Sequence, residues 1–115
     1  MTRAPQPPPP LPPHWFQILL SLADRDLHGL GIMNDVLERT DGRMRLWPAM
    51  LYRNLGRLVE AQLVTEIDVP RDAEPGGGRP RFYRLTPLGR RACAAEASRL
   101  AGFVDVARRK RLIKA

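Results

Sequence analysis

Apolar positions along this chain change their spacing, and the changes divide it into elements. From His14 to Asp24, Trp15, Ile18, Leu19 and Leu22 fall at i, i+3, i+4 and i+7, which predicts a helix with one stripe turned to a core. A second helix is expected to open at Leu27 and run to about Arg39, with Ile32, Met33, Val36 and Leu37 on its inner side. Gly29 and Gly31 near its start suggest close approach of another backbone. Thr40-Asp-Gly42 reads as a stop, with Gly42 as a left-handed cap. Pro48 suits the first turn of a third helix, where its missing N–H is harmless and its fixed φ fits. Leu51, Leu55, Leu58 and Val59 then form one apolar face. The short connection between the second and third helices is that of a helix-turn-helix.

After Leu63 the period falls to two. Val64, Glu66 and Asp68 alternate with Thr65, Ile67 and Val69 as a strand, and residues 70–80 form a loop of turn formers. Arg81-Phe-Tyr-Arg-Leu85 returns as a second strand. A hairpin placed after three helices is the wing of a winged helix. Thr86 as N-cap and Pro87 at the first position open the last helix. Along it Cys93, Ala97, Leu100, Val104 and Ala107 keep a near-heptad spacing, widened by Ala92, Phe103 and Val106. No later segment of this sequence covers that stripe, so pairing with a second copy through Trp15, Cys93, Ala97, Leu100, Phe103, Val104 and Ala107 is expected. The fold class expected is mainly α with a small β-hairpin, a winged helix-turn-helix followed by a dimerisation helix. Three parts result: a disordered proline-rich tail over 1–13, the winged helix-turn-helix over 14–86, and the dimerisation helix with a basic end over 87–115.

Charge sharpens this picture. Nineteen Lys and Arg against twelve Asp and Glu leave a formal net charge of +7, which points to a polyanionic partner. Double-stranded DNA is the first candidate and an anionic membrane surface the second. No apolar run is long enough to span a bilayer, and the start lacks the pattern of a signal peptide, so a cytoplasmic location with no membrane partner is expected. A single cysteine, Cys93, excludes an internal disulfide and any cysteine-based zinc cluster. His28 reads as a structural histidine at a helix start. Glycines 76–78 lack the Gly-Lys-Ser/Thr that a phosphate-binding loop requires. With no nucleophile–base pair, metal set or cofactor loop, no enzyme, metal or cofactor is expected.

The third helix carries the candidate chemistry. Its polar face offers Tyr52, Arg53, Asn54 and Arg57, with no acid until Glu60, an inventory suited to phosphate oxygens and base edges. Arg79 and Arg81, near the hairpin tip, can reach phosphates or a minor groove, whereas Asp72 and Glu74 oppose Arg71. A winged helix used as a protein–protein module, its basic face meeting an acidic partner, is the alternative.

Taken in order, these segments resemble the PadR family of bacterial transcription regulators, in its short form with one C-terminal helix. The resembling residues are Ile18-Leu-Leu-Ser-Leu22, His28-Gly29 with Ile32, Pro48-Ala-Met-Leu-Tyr52 with Leu55, Arg57 and Leu58, Glu60-Ala61, Leu63-Val64, Gly77-Gly-Arg-Pro-Arg81 and Phe82-Tyr-Arg-Leu-Thr-Pro-Leu-Gly-Arg90. The resemblance covers about residues 14 to 107. It implies a dimeric winged-helix repressor whose third helix, from Ala49 on, enters the major groove while the wing touches the flanking backbone. Tyr52 matches a family tyrosine that often contacts phosphate, and Arg79 and Arg81 match basic wing positions. Ala49-Met50 replaces the usual Gly-Thr, Trp47 replaces a small or polar residue, and Leu30 stands where tyrosine is common. Some members bind planar apolar compounds between subunits, so Trp15 and Phe103 are candidates to line a site for a small aromatic effector.

Overall fold

A computed structural model describes residues 9–68 and 81–114. Helix α1 spans Pro13–Ser21 and seals Ile18, Leu19 and the following Leu22 from solvent. It packs against three other helices: α2 (Gly29–Arg39), α3 (Pro48–Glu60) and α4 (Pro87–Arg109). Ile32 and Val36 of α2 and Leu51, Leu55 and Leu58 of α3 meet it, each fully buried, as the helical spacing anticipates. Val59 departs from that expectation. It sits at the edge of the α3 stripe and is 37% exposed, outside the core.

Three helices stop in the same way. The residue after each C-cap turns left-handed: Asp41 at φ 53°, Gln62 at 63° and Arg111 at 61°. The next N–H then reaches back to the carbonyl at the start of the last turn: Gly42 to Leu37, Leu63 to Leu58, Leu112 to Ala107. Gly42 is left-handed as expected, at φ 78°, but the cap position itself belongs to Asp41.

A three-stranded antiparallel sheet joins the helices, with β1 (Leu27–His28) and β2 (Val64–Ile67) flanking β3 (Phe82–Leu85). Leu27 and His28 therefore do not open α2, as the sequence reading had it. They pair with Tyr83 and Phe82, His28 stacks on Phe82 at 5.2 Å, and the helix begins at Gly29. Two residues are too few to display a period, which is why this strand is hidden in the pattern.

The start of α4 is seated on the turn between α3 and β2. Thr86 accepts from the Gly89 N–H and donates to the Gln62 carbonyl, while its own N–H donates to the Leu63 carbonyl. Gly89 is needed here, because a Cβ would lie 2.0 Å from the Leu63 oxygen. Beyond Leu100 the helix leaves the domain: residues 101–106 are all exposed, Phe103 at 59%. Cys93, expected at a subunit interface, instead belongs to the core of the single chain at 6% exposure, and burial raises its thiol pKa.

The end of the proline-rich segment also differs from a tail free in solvent. Pro13 is already helical, Leu11 packs on the core, and its N–H donates to the buried Glu96 carboxylate of α4 at 3.2 Å. Residues 1–8 lie outside the described residues.

Candidate nucleic-acid interface

Burying Leu51, Leu55 and Leu58 turns the opposite side of α3 outward, and Ala49, Tyr52, Arg53, Gly56, Arg57 and Glu60 are all exposed there. Arg53 and Arg57 form no ion pair or side-chain hydrogen bond among the described residues, and both are exposed. Tyr52 is 46% exposed and leans over the start of α2, so close that a Cβ on Gly29 would meet its hydroxyl. This is the close approach that Gly29 suggested, although the partner is a side chain rather than a backbone.

Asn54 does not join that face. Its amide donates to the Met50 carbonyl at 3.0 Å, and its oxygen accepts from Trp15 Nε1 at 3.1 Å. The side chain is half-buried and ties α1 to α3, so it is engaged inside the domain rather than turned outward with Arg53 and Arg57 as expected. Trp15 correspondingly has a partner inside the domain. The spacing of the two residues, far apart in sequence, gave no sign of this contact.

On the wing, Arg81 is exposed and pairs with Glu66 across the strands at 3.5 Å. Arg84 is held by both carboxylate oxygens of Asp26, at 3.1 and 2.8 Å, and this pairing raises its pKa. Arg79 and Arg71 lie outside the described residues, as do glycines 76–78. Between α3 and the wing runs an open groove of about 650 Å³, lined by Tyr52, Val59, Glu60, Glu66, Arg81 and Tyr83. Burial, then the nearby Glu66, raises the Tyr83 pKa, so its phenol stays protonated.

Trp47 stands where the resemblance leads one to expect a small or polar residue. In the structure it is the N-cap of α3 and is 62% exposed, with the Arg45 guanidinium over its ring at 5.3 Å. On α4, Ala97 is exposed and Leu100 and Ala107 are half-buried, while Phe103 and Val104 are exposed, with Arg99 over the Phe103 ring at 5.3 Å. No group of His, Cys, Asp and Glu suited to a metal ion occurs among the described residues, and no helix there is long and apolar enough to cross a membrane.

Residues 18–95 match the family described as "Transcriptional regulator PadR-like family". Among solved structures, a transcriptional regulator from Clostridium thermocellum is similar with a TM-score of 0.67 at 20% identity, over 83% of this chain and 86% of that one. A PadR family regulator from Clostridium difficile aligns with a TM-score of 0.64 at 21% identity, over 83% and 96%. Bacillus subtilis PadR, solved in complex with operator DNA, aligns with a TM-score of 0.61 at 18% identity, over 70% of this chain and 44% of that one. These likenesses establish the winged-helix fold with a long final helix. No curated protein matches the sequence.

Proposed function

The chain belongs to the PadR-like family of transcriptional regulators, and from that premise we propose that it is a dimeric repressor that binds a specific DNA duplex through the outward face of α3. The observation that carries this reading is the exposed pair Arg53 and Arg57, uncommitted among the described residues on a helix whose other side is sealed in the core. Ala49 and Tyr52 share that face, and Arg81, with Arg79, supplies the wing contact to the flanking backbone. The operator complex of Bacillus subtilis PadR supports duplex DNA as the partner.

Two copies pair through the distal half of α4, where Leu100, Phe103, Val104 and Ala107 supply the apolar contact and Ala97 the close approach. Such pairing sets two copies of α3 about 34–36 Å apart, one turn of duplex. Repression follows from occupying a promoter. A small aromatic effector bound near Trp15 and Phe103 acts by favouring one geometry of the pair over the other.

A gel shift on DNA from upstream of the chain's own gene, with excess non-specific competitor, tests the reading. Specific retention is expected, and Arg53→Ala or Arg57→Ala should weaken it by about five- to a hundredfold with little change in melting temperature. Equal loss of folding and binding would assign these side chains to the structure. No retention at low salt would favour an acidic protein as the partner of the basic face.

A further inference from the structure

Trp47 is the largest exposed aromatic surface among the described residues, and its position is informative. The residues on either side of it are anchored: Leu46 is buried at 2%, and Pro48 starts α3. The Trp47 carbonyl accepts the first helical hydrogen bond, from the Leu51 N–H at 2.8 Å. The backbone at Trp47 is thus fixed, while its indole stays exposed and has no place in the apolar cluster. A tryptophan left 62% in water forfeits a large part of the stabilisation that burial would give it.

Arg45 adds a second, independent observation. Its guanidinium lies over one face of that indole. It has no carboxylate partner among the described residues. Stacking limits the freedom of a long side chain before any ligand arrives, which lowers the entropic penalty of using it. Even with this stacking the residue is 62% exposed. Exposed Arg43 lies just upstream, and exposed Ala49 and Arg53 continue the same end of α3.

We propose that Trp47 and Arg45 form a composite DNA-reading unit, in which the indole packs on a thymine methyl in the major groove while the stacked guanidinium takes the adjoining phosphate. This rests on duplex DNA being the partner of α3. Indole against methyl is the apolar form of base readout, and arginine on phosphate fixes its register.

The test uses the full chain and a duplex selected by it from a random-sequence pool. Replacing each thymine in turn by deoxyuridine removes one methyl. One position per half-site should lower affinity about fourfold, and Trp47→Ser should abolish that position's sensitivity while weakening the parent duplex about tenfold. Arg45→Ala should lower the salt dependence by about one phosphate contact. Tryptophan fluorescence of the parent chain should be quenched by the selected duplex, and Trp47→Ser should remove that quenching. If Trp47→Ser and the parent chain respond identically to every deoxyuridine, the unit does not exist, even though binding itself is intact. If no duplex is selected at all, the DNA reading of α3 falls, and this inference with it.

Discussion

Gln62 occupies a backbone conformation that L residues adopt reluctantly, at φ 63°, because α3 must stop there and hand the chain to β2. Its side chain is exposed, so nothing in packing favours glutamine over glycine. Gln62→Gly should therefore raise stability by about 0.5–1 kcal/mol, read in urea unfolding, since relief of the left-handed strain exceeds the added freedom of the unfolded chain. Gly89 is the opposite case. Its Cα lies against the Leu63 carbonyl, which also accepts the Thr86 N–H, so neither side can give way. Gly89→Ala should cost about 2–3 kcal/mol, and an unchanged midpoint would mean that α4 can slide on its seat. The Thr86-Pro87 start of α4 was legible because an N-cap is a local signal. The duties of Gly89, Asn54 and Cys93 were not. Each is defined by a partner distant in the chain, and spacing along one helix cannot report which neighbour that helix meets.

At the scale of elements, α1 and α2 are joined by a polar cluster at the edge of their apolar contact. Arg39 donates to the Gln17 carbonyl, the Gln17 side chain and the Ser21 hydroxyl, and pairs with Asp35 at 2.7 Å, while Arg25 reaches the same carboxylate at 3.3 Å. The Ser21 hydroxyl foremost, then Arg39 and Arg25, hold the Asp35 carboxyl below its ordinary value against the opposing effect of burial. A depressed carboxylate pKa means that the folded state binds its proton less readily than the unfolded chain. The stabilisation is then complete above the ordinary carboxylate range and is lost as pH falls through the lowered value. Glu96 has the same sign, held down first by Arg99 and also by the Leu11 N–H. Asp35→Asn should thus destabilise the chain at neutral pH and leave it nearly unaffected near about pH 2, in urea midpoints measured across the acid range. A constant difference at every pH would show that the Asn variant fails through geometry rather than charge. The helices that carry this cluster were readable because nine and eleven residues with a 3.6 spacing declare their inner face. The sheet was only half readable, since β2 and β3 alternate but β1 is too short to do so.

At the scale of the whole molecule, the described residues leave one apolar surface uncovered. Helix α4 is 23 residues long, roughly 34 Å, and only its first half is covered by the domain. From 101 to 106 every residue is exposed, three of them Phe103, Val104 and Val106. The heptad-like spacing revealed that this helix had something to bury, but it assigned Cys93 to the wrong surface, because it could not say where the domain ends along the helix. A second copy laid against the distal half would cover the ring of Phe103, a gain of about 2 kcal/mol for each such side chain. Pairing couples folding to concentration, so the melting temperature of the parent protein should rise as its concentration is raised. Phe103→Asp should remove that rise and give the mass of a monomer by light scattering. It should leave the far-ultraviolet circular dichroism intact, because Phe103 lies outside the core and its contact among the described residues is the Arg99 guanidinium stacked on its ring. It should also steeply weaken retention of a two-half-site duplex while sparing weak binding to a single half-site, since one α3 and one wing remain whole. A variant that keeps the dimer mass would place the contact between copies elsewhere, and the spacing of the two α3 helices would have to be set by another surface.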